Sequence, residues 1–245
     1  MAVSREAWAS KLSDMEHWYQ DLLADREAAD ASLAREYAPH VAFLATLEGR
    51  VLDVGGGAGP TARYLQPSCR YVVVDPSALW TSREWQSFGA AFRGGDVVPE
   101  HIVGVGEDLP FPDASFDAVV SMWSLNHAQD WRRCIAEMAR VARPGGRILL
   151  VLEDMEPGWP DVARAVSQRI RRRLGLATRF DHFHNERIGS RLTDVLRGKL
   201  RRGWPVQDDH ILIEGPALAH EARTHLSLTR REWKDGFLTL EYARC

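Results

Sequence analysis

Residues 50–60, RVLDVGGGAGP, hold the densest group of chemically useful positions in this chain. Val51, Leu52 and Val54 make a short apolar run suited to a parallel strand buried on both faces. Asp53 interrupts that run with a carboxylate that needs a partner, supplied either by the N–H groups of the following loop or by a cationic ligand. Gly55, Gly57 and Gly59 stand at every second position, with Gly56 between the first two. A ligand can there lie against bare backbone at φ values that side chains disfavour. Asp53, Gly55, Gly56 and Gly57 therefore read as a nucleotide cradle. Counted from Gly55, the dinucleotide template G-x-G-x-x-G puts Pro60 where its third glycine belongs, so the pattern is D-x-G-x-G-x-G and lacks the pyrophosphate turn.

A second acid lies at the right distance to serve the same ligand. YVVVDPS, 71–77, reads as an apolar strand ending in Asp75 and Pro76, and Asp75 is 22 residues beyond Asp53. That offset is close to the ~20 residues at which a Rossmann acid reaches the ribose hydroxyls, and two carboxylate oxygens suit two vicinal hydroxyls. The alternative reading is a strand-end Asp capping the next helix. A further strand, 116–122, ends at Met122 and Trp123, and His127 follows just beyond, where doubly wound folds place their ligands. His127 is the candidate general base, or else a loop-ordering side chain. His182 and His184, near Glu186, read as pocket-lining or structural, since no third landmark fixes a metal.

Four landmarks in order, D-x-G-x-G-x-G at 53–59, Asp75, the run from Glu107 through Leu109–Phe111 to Ser115–Asp117, and R-P-G-G at 143–146, resemble the class I S-adenosylmethionine (SAM)-dependent methyltransferases. The resembled branch acts on small molecules and includes the ubiquinone and menaquinone biosynthesis enzymes. The resemblance implies SAM as cofactor and adds Gly106, Glu107, Leu109, Met122 and Trp123 to the expected cofactor site beside Asp53, Gly55, Gly56, Gly57, Asp75 and Pro76. The acid-small pair that often contacts adenine in the family is replaced by Val105 and Gly106. No Asn-Pro-Pro-Tyr or Asp-Pro-Pro-Tyr follows the strand at 116–122, unlike the enzymes that methylate nucleobase or amide nitrogens. An N-terminal helix commonly covers the cofactor in this family, which nominates Tyr19, next to Trp18, as part of a lid.

The implied fold is α/β: a doubly wound, Rossmann-like, seven-stranded and mostly parallel sheet whose last strand is antiparallel and slots between the fifth and sixth. Its expected parts are a helical lid at 1–47, a SAM-binding core at 48–153, a variable substrate-recognition insertion at 154–207 and C-terminal strands at 208–245. Periodic apolar residues from Trp8 to Leu23 support helix in the lid, with a boundary near Pro39. Helices are expected to open at 61–65, to run over 78–92 and to run from an Asp130 cap to Val141. Strands are expected at 101–106, 208–214 and 236–244, and R-P-G-G is an architectural turn.

Composition limits the partners. The formal net charge of −3 over 245 residues shows no global basic excess for nucleic acid. Cys69, Cys134 and Cys245 are scattered without a C-x-x-C, which argues against a disulfide framework, a zinc knuckle or an iron–sulfur centre and fits a reducing cytoplasm. The N-terminus lacks a signal-like apolar run, and no transmembrane stretch is expected. Residues 161–202 hold twelve Arg/Lys against four acids. Such a run is either a solvated face or an attractor for an anionic substrate, a membrane surface or RNA. The reading is thus a methyltransferase for a small-molecule substrate. Three rivals stand beside it: an RNA methyltransferase using the basic insertion, a non-catalytic SAM-binding partner subunit, and a nicotinamide enzyme.

Overall fold

Near-continuous apolar strands can be buried only between two covering layers. The computed structural model describes residues 26–83, 85–87, 97–152, 213–234 and 237–245, with residues 12, 13, 16, 17, 90, 155, 156, 163, 166, 167, 170, 171 and 173–175. Its central sheet contains β1 (Arg50–Val54), β2 (Arg70–Asp75), β3 (Glu100–Val103), β4 (Phe116–Met122), β5 (Ala142–Leu152), β8 (Leu226–Lys234) and β9 (Phe237–Arg244). The strand order is β3-β2-β1-β4-β5-β9-β8, with β9 antiparallel to both β5 and β8 and the other pairings parallel. This is the expected doubly wound fold, with the last strand in the expected place. Two further strands, β6 (Met155–Glu156) and β7 (Ile213–Glu214), form a separate parallel pair.

Alternation along β1 and β2 divides the core between two faces. Leu52, Val54, Val72 and Val74 pack with Trp131, Ile135 and Met138 of α3 (Trp131–Val141) and with Leu218 of α4 (Gly215–Arg223). Val51, Tyr71 and Val73 pack on the other face with Tyr37 of α1 (Arg26–Tyr37) and with Phe43 and Leu44 of α2 (Val41–Leu44). Asp53 lies on this second face. The order reverses between β1 and β4, so the crevice beyond Val54 is the topological switch point where such sheets hold ligands.

Several expected elements are redrawn. The segment after the glycine loop is a five-residue 3-10 turn, Pro60–Tyr64, and not an α-helix. Its Thr61 is committed to the polar network under the loop, described below, while Arg63 pairs with Asp30 and Tyr64 stacks on Tyr37. Over 78–92 the described residues give a 3-10 turn at Ala78–Thr81 and helical positions at 83, 85–87 and 90. The strand expected over 101–106 is Glu100–Val103. Only Ile213 and Glu214 of the strand expected at 208–214 are described as strand, and they pair outside the main sheet. The true sixth strand is β8, LSLTRREWK, an edge strand whose charged residues hid its pattern; Arg230 pairs there with Glu232 and with Glu241 of β9.

The family landmarks away from the site are architectural. Asp117 accepts from Arg50 N–H at 2.6 Å and pairs with Arg143 at 2.6 Å, tying β1, β4 and R-P-G-G together at the end of the sheet remote from the crevice; R-P-G-G, expected as a turn, is an irregular first part of β5. Arg140 of α3 fixes the L-P-F loop. It donates to Leu109 O at 2.9 Å, Phe111 O at 2.7 Å and Asp113 at 2.9 Å while paired with Glu137, which accepts from Leu109 N–H. Arg140→Ala is expected to lower stability by about 1–2 kcal/mol, since the group is partly wetted and water can replace some of these bonds. Arg140→Lys should recover little, because an ammonium cannot span carbonyls and carboxylate together. Thermal melts of both variants check this.

Candidate active site

The crevice is built by the carboxyl ends of β1, β2 and β4. Gly55, Gly57 and Gly59 have φ values of 73°, 52° and 77°, so the loop takes the left-handed turns that the glycine spacing anticipates. Gly55 N–H donates to Val74 O at 2.7 Å, and Ser124, just after β4, donates from Oγ to Val54 O at 2.7 Å. A side chain at Gly55 would run into Ser124, and one at Gly56 would come within 2.6 Å of Asp53 Cγ.

Asp53 and Asp75 form the electrostatic centre. Asp53 is buried, and its Oδ2 accepts from Thr61 Oγ1 and Tyr71 Oη, both at 2.6 Å. Thr61 is bonded in turn to Tyr37 Oη at 3.1 Å. Asp53 Oδ1 has no hydrogen-bond partner among the described residues. Burial pushes its pKa up to about 6, the Thr61 and Tyr71 hydroxyls pull it down, and the charge of Asp75 adds to the rise. Asp75 accepts from Gly57 N–H at 3.0 Å on Oδ2, and from Ser77 N–H at 2.9 Å and Trp80 Nε1–H at 2.8 Å on Oδ1. Burial also pushes Asp75 up to about 6, against these three donors and with a smaller upward contribution from Glu16. Three of a carboxylate's roughly four acceptor positions are thus filled. Among the described residues this leaves one acceptor position on Asp75, where the sequence reading called for two.

The other expected residues fall into distinct places. Gly106 backs onto Cys134 Sγ and Val54, where a Cβ would approach both to 3.0 Å. Glu107 turns its Oε1 to Gln129 N–H at 2.7 Å and Asp130 N–H at 3.0 Å, and so braces the start of α3. Leu109 and Met122 are core residues on opposite faces. Pro76 is half-buried beside Asp75. Trp123 holds a positive φ of 56° at the end of β4, costly for a bulky side chain, and packs edge-on against Tyr37 with centroids 5.1 Å apart. His127 closes the 3-10 turn Leu125–His127, its N–H donating to Ser124 O at 2.9 Å. Trp18, Tyr19, His182, His184 and Glu186 lie outside the described residues, as does most of the basic stretch 161–202. Glu16 is described, and it accepts from Ser77 Oγ at 2.6 Å, which brings the N-terminal segment to the Asp75 side of the crevice.

Two buried carboxylates with no Arg or Lys bonded to either among the described residues make a site that attracts positive charge and repels pyrophosphate. A sulfonium nucleoside suits that set of acceptors.

Comparison with known proteins agrees. Residues 52–150 match the family described as methyltransferase domain. Over that stretch the chain resembles the class I SAM-dependent methyltransferases. It resembles the ubiquinone/menaquinone biosynthesis C-methyltransferase UbiE of Hahella chejuensis, 40% identical over 121 residues that cover 47% of this chain and 47% of that protein. It also resembles the demethylmenaquinone methyltransferase of Corynebacterium glutamicum, 35% identical over 130 residues covering 53% and 52%. The chain spans about half the length of these curated relatives. Among solved structures, the 1,6-didemethyltoxoflavin-N1-methyltransferase of Burkholderia thailandensis superposes with a TM-score of 0.57 at 16% identity, covering 100% of this chain and 91% of that one. At that identity the likeness shows the fold. The matched stretch contains the whole crevice from Asp53 to His127, while Glu16 and the aromatic partner Tyr37 come from outside it.

Sequence reasoning missed Tyr37, Thr61, Tyr71, Trp80 and Ser124. Tyr71 carried a usable signal, a polar-tipped residue at the start of an apolar strand directly beside β1.

Proposed function

We propose that this protein transfers a methyl group from SAM to a small-molecule acceptor, with Asp53, Gly55, Gly56, Gly57, Asp75 and Pro76 holding the cofactor. The observation that carries this reading is the pair of buried carboxylates beneath a bare-backbone loop, with no Arg or Lys bonded to either among the described residues. The matching quinone-pathway relatives support a small acceptor. Gly106 and Trp123 complete the walls of the crevice, Leu109 and Met122 act from beneath through packing, and Glu107 acts through its brace on α3. Tyr19 remains part of the proposed lid.

SAM supplies an activated methyl whose leaving group departs as a neutral thioether. The chain's own contribution is then orientation and exclusion of water. Asp53, buried beneath the loop, contributes negative charge that favours a cation above it, Asp75 offers one acceptor to the sugar, and His127 takes a proton where the acceptor carries one.

Isothermal titration with SAM, S-adenosylhomocysteine (SAH) and NADH tests the reading. Binding of SAM and SAH at one site, with no heat from NADH, is the expected result. NADH binding, or no binding of either adenosyl compound, overturns it. Among the described residues no helix is long and apolar enough to cross a membrane.

A further inference from the structure

Gly57 is fixed at both of its backbone groups by side chains. Its N–H donates to Asp75 Oδ2 at 3.0 Å, and its C=O accepts from His101 Nε2 at 3.1 Å. His101 belongs to β3, paired with Val73 of β2, and no motif in the sequence marks it. Its other ring nitrogen, Nδ1, lies 3.0 Å from Gln86 Nε2, and Gln86 Nε2 donates to Trp80 O at 2.6 Å. Trp80 donates from its indole to Asp75 Oδ1 at 2.8 Å, which closes a ring of hydrogen bonds through Asp75, Trp80, Gln86, His101 and Gly57.

The proton positions in this ring follow from its two ends. Trp80 O can only accept, so the Gln86 atom facing it is the amide nitrogen, and that same nitrogen donates to His101 Nδ1. Nδ1 is then an acceptor and the neutral ring carries its proton on Nε2. Gly57 O, which also can only accept, requires the same tautomer independently. A glycine at positive φ has little steric barrier to turning its peptide over. His101 holds the Gly57–Ala58 peptide through its C=O, and Asp75 holds the preceding Gly56–Gly57 peptide through the Gly57 N–H.

We infer that His101 is a positioning residue for the cofactor cradle, setting the Gly57 peptide through a tautomer that Gln86 selects. The inference rests on the reading of the glycine loop as the SAM site, and it goes beyond it by placing a determinant of cofactor affinity on the edge strand. His101 does not contact the ligand in this scheme; it keeps the surface on which the ligand lies.

Two conservative variants separate this role from general packing. In H101Q the side-chain amide nitrogen falls near the position of Nε2 and keeps a donor for Gly57 O. In H101N it falls near Nδ1, keeping polarity on the Gln86 side but releasing Gly57. SAH affinity, read by titration calorimetry on the full chain, should weaken roughly three- to tenfold in H101N and stay within about twofold of wild type in H101Q, the range expected for one backbone hydrogen bond. H101N binding as tightly as wild type, or H101Q failing to recover affinity, overturns the inference. Should H101N not fold, Q86M carries the test: it leaves His101 in place but removes the amide that fixes its tautomer, and unchanged SAH affinity in Q86M counts against the ring. A wild-type protein that binds neither SAM nor SAH brings down the functional reading and this inference together, whereas normal wild-type binding with indifferent variants removes this inference alone.

Discussion

Asp53→Asn is expected to make the ligand-free protein more stable at pH 8 and a poorer binder of SAM. Holding a carboxyl near pKa 6 in the folded state, against about 3.9 in the unfolded chain, costs the folded form about 3 kcal/mol once both are ionised. Asparagine removes that cost, and the geometry accommodates it. Thr61 and Tyr71 donate to the same oxygen, Oδ2, so an amide carbonyl placed there keeps both bonds. The amide nitrogen then takes the place of Oδ1, which has no partner among the described residues. A buried N–H2 without an acceptor gives back part of the gain, leaving about 1–2 kcal/mol, or roughly 2–6 °C in Tm.

The sign of the pH dependence follows from the raised pKa. Between pH 3.9 and 6 the folded wild type keeps a proton that the unfolded chain has released, so its stability falls as pH rises through that window. The advantage of Asp53→Asn therefore opens between about pH 4 and 6, is full above 6 and vanishes at lower pH. Affinity moves the opposite way. Wild-type SAH and SAM binding should strengthen as pH rises through 6, and Asp53→Asn should bind SAM at least about tenfold more weakly at pH 8 with a shallower pH slope. Melting curves at pH 4.5 and pH 8, paired with titrations, check both halves. A variant less stable than wild type at pH 8 means that Asp53 serves packing within the protein and not a ligand's charge.

How much of this was legible in the sequence depends on whether a residue's partners are local. The glycine loop and the Asp130 cap were readable because each acts within a few residues of itself, and Asp53 and Asp75 because each interrupts or closes an apolar run: Asp130 does accept from the N–H groups of Arg132 and Arg133. The parallel sheet was readable from its apolar runs. Edge strand β8 was not, because a strand open to water on one side carries charges that break the alternation. Asp75 was found but its occupancy was not, since Gly57 reaches it by tertiary folding from 18 residues away and the Trp80 indole through the turn that follows β2. Glu107 matched a family landmark, yet the structure shows its Oε1 bracing the N–H groups of Gln129 and Asp130 from 22 and 23 residues away. A residue's type and place along the chain say that a carboxylate will be satisfied, and only the fold says by which donor.

Asp75→Asn is expected to behave unlike Asp53→Asn although burial has pushed both carboxyls up to about 6. The distinction is in how the donors are shared. Asp75 accepts on both oxygens, from Gly57 N–H on Oδ2 and from Ser77 N–H and Trp80 Nε1–H on Oδ1. An amide cannot accept on both sides. If its oxygen faces Ser77 and Trp80, its N–H2 confronts Gly57 N–H and pushes the loop outward; if it turns over, two donors lose their acceptor. Each buried donor so stranded costs about 1–3 kcal/mol, which offsets the gain from removing the charge. Stability at pH 8 should then stay level or fall, while SAH affinity drops about 30- to 100-fold through the combined loss of the sugar's acceptor and of the Gly57 anchor. Melting Asp53→Asn and Asp75→Asn side by side at pH 8 separates desolvation from donor geometry. If both rise equally, burial of charge alone governs these carboxylates and the hydrogen-bonded ring through Gly57 has no mechanical role. If only Asp53→Asn rises, Asp53 is a buried charge that the ligand-free fold does not fully satisfy, and Asp75 is an anchor that holds the loop.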